Sequence, residues 1–357
     1  MIKPVFIIAE AGVNHNGAPE LAFQLVDAAV AAGADAIKFQ TFKPENLVTK
    51  EATKAEYQKN TTDLDESQYE MLKKLELSYD IHHKLIAYCE KKGIQFLSTA
   101  FDDESLDFLV NKIGLSTLKI SSGDLTNGPL LLAHSRTKCD LIMSTGMATL
   151  DEVESALGVI AFGLTNNQSP SLTAFRDAFL SEDGQRLLKE KVTLLHCTSE
   201  YPAALQDINL NAMLTMNKAF GLKTGYSDHS EGIVVPIAAS SLGAVLIEKH
   251  FTLDKSLPGP DHKASLSPDE LCNMVTAIRQ VEKALGSYTK KPTTSEIKNR
   301  NIVRKSLVAI SNIDKGDVYT KNNITAKRPG DGVSPMKYWD YLETHALENV
   351  LIDELVK

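Results

Sequence analysis

Residues 245–251 read VLIEKHF. Three apolar residues lead into Glu248 and His250, which stand two apart and so share one face if the run is a strand. Seven other runs have the same form: FIIAEAG (6–12), DAIKFQTF (35–42), IQFLSTAF (94–101), TLKISSGD (117–124), LIMSTGM (141–147), TLLHCTSEYP (193–202) and KTGYSDH (223–229). Apolar bodies that fill a centre, each breaking into a polar cluster at its carboxyl end, predict an eight-stranded parallel (β/α)8 TIM barrel with its chemistry on one rim.

The intervals between these runs carry helical patterns. Leu21, Leu25, Val26 and Ala29 recur at helical spacing before Gly33, a residue suited to the left-handed stop. Thr149 with Glu152 three residues on forms a capping box, followed by Val153, Leu157 and Ile160 on one face. Ser267 caps the last barrel helix, Pro268 suits its first position and Glu270 closes the box. A buried stripe of Leu271, Met274, Ile278, Val281 and Leu285 is expected before Gly286. Strand then helix, repeated, implies parallel pairing. The expected organisation is a catalytic barrel over 1–285, a hydrophilic linker over 286–300 and a small domain with short strands over 301–357. The longer polar intervals 43–80 and 163–190 read as insertions at the rim.

Composition narrows the function. A net charge of -8 argues against nucleic acid or an anionic membrane as partner, because both reward broad positive surface. An anionic ligand must then meet a local basic pocket. The cysteines Cys89, Cys139, Cys197 and Cys272 are scattered without a C-x-x-C pair, so neither a disulfide framework nor a thiolate zinc site is indicated. The first apolar run meets Glu10 too early for a signal-peptide core or a membrane span, and a reducing cytoplasm is the expected location.

Strand parity selects the residues that can act together. Lys38 with Gln40, Ser227 with His229 and Glu248 with His250 each share a face. Lys38 and Lys119 lie between apolar neighbours at strand ends, where an unpaired buried ammonium would be costly unless it served a site. His229 and His250, on adjacent strands, form a plausible pair of ligands for a divalent metal. Glu10 ends the first strand and is placed as a general base. Ser98, Thr99, Ser121, Ser122, Ser144 and Thr145 suit turns and caps equally well, and their recurrence beside two lysines favours an oxyanion or phosphate site. His15 of NHNG reads as turn chemistry, and Cys197 as filler rather than nucleophile.

The blocks AEAGVNHNG, IKFQTF, AEYQ, STAFD, LKISSGD, STGMATLDE, HCTSEYPA, GYSDHS, IEKHFTLDKSLPGPDH and KRPGDGVSP follow one another along nearly the whole chain. In this the sequence resembles the sialic acid synthase (N-acetylneuraminate synthase) family. The resemblance implies a barrel joined to a C-terminal antifreeze-like (SAF) domain in a domain-swapped homodimer. It implies condensation of phosphoenolpyruvate with an N-acetylmannosamine-type sugar, giving a nine-carbon 2-keto sugar acid and phosphate.

By that resemblance Lys38 and Thr99 serve the carboxylate of phosphoenolpyruvate, and Lys119, Ser122, Ser144 and Ser227 its phosphate. His229 and His250 hold Mn2+, or Mg2+ or Co2+, and Glu10 activates water. Gln40, Tyr201 and Asp261 position the sugar, and Arg328 reaches it from the partner subunit. Ser199, Asp124 and Ala204 stand where the family pattern has Asn, Glu and Pro. The SEY form of the sixth rim loop also fits synthases that take a 2,4-diacetamido-trideoxy sugar to a legionaminic acid, whereas the C-terminal motifs resemble the N-acetylneuraminate enzymes. The expected sugar is therefore N-acetylmannosamine, with the diacetamido sugar as the alternative. Another phosphoenolpyruvate-condensing aldolase is a further alternative, and a non-enzymatic carbohydrate-binding protein the weakest.

Overall fold

A computed structural model describes every residue except 1–2, 60–61, 64 and 166–168. Eight strands appear where the runs predict them. They are β1 (Phe6–Gly12), β2 (Ala36–Thr41), β3 (Gln95–Ala100), β4 (Thr117–Ile120), β5 (Asp140–Ser144), β6 (Val192–Cys197), β7 (Lys223–Asp228) and β8 (Leu246–His250). They close into a barrel in chain order, and β1 pairs with β8 in parallel to complete it.

Alternation sorts each strand into two environments. Inward residues Ile8, Ala36, Leu97, Ile142, Leu195 and Leu246 pack together as an apolar plug inside the barrel. Outward residues such as Ile7, Ile37, Phe96 and Ile247 are buried in a separate cluster with helix residues including Leu25, Leu85 and Leu271. Two residues beyond the plug, toward the carboxyl end, the inward positions turn polar: Glu10, Lys38, Thr99, Ser144, Ser227 and Glu248. The capping box at Ser267 forms, with Ser267 N–H donating to Glu270 Oε2 over 2.8 Å and Glu270 N–H to Ser267 Oγ over 3.3 Å. The stripe of that helix (Pro268–Leu285) is shorter than expected: Leu271, Met274 and Ile278 are buried, Val281 is half-buried and Leu285 is exposed. The helix outruns the strands it covers.

Gly225 of β7 occupies the plug layer. A Cβ there would strike the Leu246 carbonyl oxygen and come within 2.8 Å of Leu195 Cδ2. Gly225→Ala is therefore expected to destabilise the barrel by about 1–3 kcal/mol through overpacking, read as a lower denaturant midpoint at an unchanged slope.

Two expectations need correction. The interval 163–190 is not a carboxyl-rim insertion. Its helices Leu172–Leu180 and Glu182–Lys191 pack beside the helix Leu150–Thr165, and the second runs straight into Val192, the first residue of β6. Residues 166–168 of the interval are outside the described ones. The expected linker over 286–300 is also partly helical. Thr293 accepts from Glu296 N–H and Glu296 from Thr293 N–H, a capping box that starts the helix Thr294–Val303.

The chain forms two compact units, Met1–Gly286 and Ser287–Lys357. The second contains β9 (Ser306–Ala309) antiparallel to β10 (Ile324–Lys327). Its core gathers Leu307, Ile313, Tyr319, Ile324, Val350 and Val356. Among the described residues, no helix is long and apolar enough to cross a membrane.

Candidate active site

At the carboxyl end of the barrel the polar layer opens into a cavity of about 490 Å³. Its floor is a charge network. Lys38 Nζ lies 2.8 Å from Glu10 Oε2, 3.1 Å from Thr99 Oγ1 and 3.7 Å from Glu248 Oε2. Lys119 Nζ donates to Ser144 Oγ over 2.6 Å and lies 3.7 Å from Glu248 Oε1, which also accepts from Ser227 Oγ over 2.9 Å. Glu248 thus stands between both ammonium groups. The parallel register explains the convergence, because Glu10 pairs with Lys38 and Ser227 with Glu248 on adjacent strands.

Burial and neighbouring charge push these groups apart. Burial drives the Glu10 carboxyl up to about 7, against the pull of Lys38 and with the help of Glu248. Burial acts on Glu248 in the same sense, yet Lys119 and Lys38 outweigh it and hold the carboxyl below its ordinary value. Burial lowers the Lys119 ammonium, with Glu248 opposing. Two carboxyls of opposite tendency, one poised near neutrality and one held ionised, suit general base and electrostatic anchor respectively.

One wall carries the imidazoles. The His229 and His250 ring centroids are 5.4 Å apart, and Tyr201 lies over His229 at 4.1 Å and edge-on to His250 at 5.6 Å. His229 Nδ1 is 2.7 Å from the Thr198 carbonyl oxygen. A carbonyl only accepts, so Nδ1 carries hydrogen; burial favours the neutral ring, but Cys197 and the Thr198 carbonyl outweigh it and raise the imidazole, and Nε2 keeps a lone pair in the neutral form alone. His250 Nδ1 is buried without a hydrogen-bond partner and lies 3.9 Å from Asp261 Oδ2. Burial, then His229 and Lys38, keep the His250 ring neutral, and burial raises the Asp261 carboxyl to about 6. An orphaned imidazole nitrogen, a second ring oriented by a carbonyl and a nearby carboxyl fit a divalent ion. Among the described residues no ready-made cluster of three or more ligands accompanies them.

Glu10, Lys38, Gln40, Thr99, Lys119, Ser122, Ser144, Tyr201, Ser227, His229, His250 and Asp261 all line this cavity. Arg328 belongs to the second unit, where it is exposed and its Nε donates to the Val303 carbonyl over 3.0 Å. Not every rim hydroxyl faces inward. Ser98 bonds Thr41 and the Phe39 carbonyl, and Thr145 the Leu195 carbonyl, whereas Ser122 Oγ accepts from Gly146 N–H in the cavity. Ser199 lines the cavity, Asp124 accepts from Ser121 Oγ and Ala204 is exposed.

Sequence reasoning gave no role to Glu248 or Gly12 and read Cys197 as filler. Glu248 was visible by parity beside His250, but its central bridging role was not. Cys197 is buried in the cavity with Sγ 3.6 Å from His229 Nδ1. Gly12, at φ 53°, leaves room where a Cβ would come within 3.3 Å of Glu10 Oε1 and 3.4 Å of His250 Cε1. The interval 43–80, in contrast, does reach the rim as expected: Leu47, Val48, Met71, Leu72 and Leu75 wall the cavity beside Val13 and Phe101.

The whole chain aligns with the N,N'-diacetyllegionaminic acid synthase of Campylobacter jejuni, 48% identical over 356 residues and 100% of both chains. The synthase of the same name from Legionella pneumophila is 48% identical over 330 residues, 92% of this chain and 87% of that one. Among solved structures, the N-acetylneuraminic acid synthetase of Leptospira borgpetersenii in complex with citrate matches with a TM-score of 0.66 and 34% identity, covering 84% of this chain and 93% of that one. The protein is a carbon–carbon bond-forming synthase of the transferase class. It belongs to the NeuB family, whose model matches residues 25–290, and has nonulosonic acid synthase activity.

Proposed function

We propose that this synthase condenses phosphoenolpyruvate with 2,4-diacetamido-2,4,6-trideoxymannose to give N,N'-diacetyllegionaminate and phosphate. The observation that carries this reading is the character of the cavity walls. A floor of two lysines and hydroxyls meets an apolar side made by Val13, Leu47, Val48, Met71, Leu72 and Phe101. A sugar with a C6 methyl and a second acetamido methyl buries apolar surface there, beside Gln58 and Gln68, which share the cavity lining. The full-length likeness to two legionaminic acid synthases supports the same choice. It supports this sugar over N-acetylmannosamine, which the C-terminal motifs favour.

In this reading Lys38 and Thr99 hold the carboxylate of phosphoenolpyruvate, and Lys119, Ser122, Ser144 and Ser227 its phosphate. Gln40, Tyr201 and Asp261 orient the sugar so that its aldehyde carbon faces C3 of the enol. His229 and His250 would hold a divalent ion, Mn2+ foremost with Mg2+ or Co2+ as alternatives, which supplies Lewis-acid polarisation of the sugar carbonyl. As the C3–C1 bond forms, C2 becomes electron-poor, and Glu10 takes a proton from the water that adds there. Lys119 and Ser144 stay with the phosphate as its C–O bond breaks and the 2-keto group forms. The second unit is assigned as an antifreeze-like domain that supplies Arg328 to the sugar site of a second copy in a domain-swapped homodimer, and the cytoplasm as the compartment.

Phosphate release from phosphoenolpyruvate across a panel of sugars tests the proposal. The diacetamido-trideoxy sugar is expected to exceed N-acetylmannosamine in kcat/KM by about 10–200-fold, the discrimination that small apolar groups provide. Preference for N-acetylmannosamine, or for arabinose 5-phosphate, would reject this substrate, and phosphate release without any sugar would reject the reaction.

A further inference from the structure

The residues immediately before the two imidazoles form an ion pair on the opposite face of the barrel wall. Asp228 and Lys249 are register partners, the last pair in the β7–β8 ladder. Their side chains point outward, away from the cavity, and both are fully buried beneath the helices. Lys249 Nζ lies 2.6 Å from Asp228 Oδ2 and also donates to the Ser230 carbonyl oxygen. Asp228 in turn accepts from Ser230 N–H and from Ser230 Oγ, each over 3.0 Å. Ile247, Val235 and Phe251 are buried in the same part of the molecule, the Tyr226 hydroxyl is near Asp228, and Lys255 and Glu270 act on Lys249 by their charge.

A buried ion pair is a poor source of stability, because desolvation offsets the Coulombic gain. It does, however, impose one separation on the two backbones that carry it. Here those backbones continue directly into His229 and His250. The main chain on both far sides is also fixed: Ala203 N–H donates to the His229 carbonyl over 2.8 Å, and Leu266 N–H to the His250 carbonyl over 2.9 Å. Between these anchors, the ion pair is a side-chain link from one imidazole-bearing strand to the other at the end of their ladder, on the face opposite the Ser227–Glu248 hydrogen bond one residue earlier.

We propose that the Asp228–Lys249 pair, held by Ser230, is a positioning clamp that sets the separation of the His229 and His250 rings for a shared divalent ion. Neither residue touches substrate or ion; both act through the imidazole next in sequence. This inference rests on the reading of the two histidines as a metal site. A support of this kind typically changes metal affinity by about 10–100-fold when it is removed.

The test uses the full-length protein and Mn2+ alone, followed by loss of the free-ion paramagnetic resonance signal, with thermal unfolding measured in parallel. Single substitution of either residue strands a buried charge, so the informative protein is the double variant Asp228→Asn, Lys249→Met, which removes both charges together. Its unfolding temperature is expected to stay near the wild-type value while Mn2+ binding weakens by about 10-fold or more. Recovery of wild-type Mn2+ affinity in the folded double variant would show the pair to be structural only and overturn the clamp. Should that variant not fold, Ser230→Ala keeps both charges and removes one support of Asp228; a loss of Mn2+ affinity of about threefold or more supports the clamp, and an unchanged affinity overturns it. A wild-type protein that takes up no Mn2+ would instead overturn the metal reading on which the clamp depends, a result separable from either variant's behaviour.

Discussion

Glu10→Gln is expected to lower kcat by about 10²–10⁴-fold, the range that a positioned general base contributes, while leaving Mn2+ affinity at the wild-type value. Gln preserves the shape of the side chain and can still meet Lys38 Nζ, which lies 2.8 Å from the carboxylate. It cannot take a proton. The sign of the pH dependence follows from the same group. Burial raises the Glu10 carboxyl to about 7, so the basic, ionised form increases as pH rises through neutrality. The kcat/KM of the wild-type protein should therefore climb between about pH 6 and 8, and this limb should vanish in the variant. A Glu10→Gln enzyme that retains both full rate and the same limb would remove Glu10 from the chemistry.

His250→Ala is expected to have a comparable effect by a different route. Its Nδ1 is buried without a protein partner and stands 3.9 Å from Asp261. Lewis-acid polarisation is worth several kcal/mol of transition-state charge, so turnover should fall by about 10³-fold or more. Mn2+ binding should fall with it, in contrast to Glu10→Gln. The pair of variants thus separates ion loss from proton-transfer loss, read by Mn2+ titration beside phosphate release. Wild-type Mn2+ affinity in His250→Ala would take the ion away from this wall.

Five strands were legible because the inward series changes from apolar to polar at a definite residue, as in Ile8 to Glu10 or Leu246 to Glu248, whereas β4, β6 and β7 step from Thr117 to Lys119, Leu195 to Cys197 and Gly225 to Ser227. Parity alone placed Lys38 with Gln40 and Ser227 with His229. It did not distinguish Thr99 from Ser98, adjacent hydroxyls that face opposite sides of one strand. The bridging position of Glu248 depends on two lysines from β2 and β4, separated in the chain by more residues than any local pattern spans. The helix Thr294–Val303 was hidden by its composition. Its hydrophobic stripe is absent and all its residues are exposed, although the Thr293–Glu296 box was present in the sequence. The apolar wall from 43–80 was only partly announced: Met71, Leu72 and Leu75 stand at helical spacing after the Ser67–Glu70 box, but Leu47 and Val48 come from a one-turn helix and the loop after it.

The plug of Ile8, Leu97, Ile142, Leu195 and Leu246 closes the barrel directly beneath the lysines. The cavity is consequently closed on the plug side and opens at the carboxyl end of the strands. In the proposed reading, an anion seated on the lysine floor enters before the sugar that settles above it. Sequence of entry is then a matter of stacking height, fixed by where the barrel is stoppered.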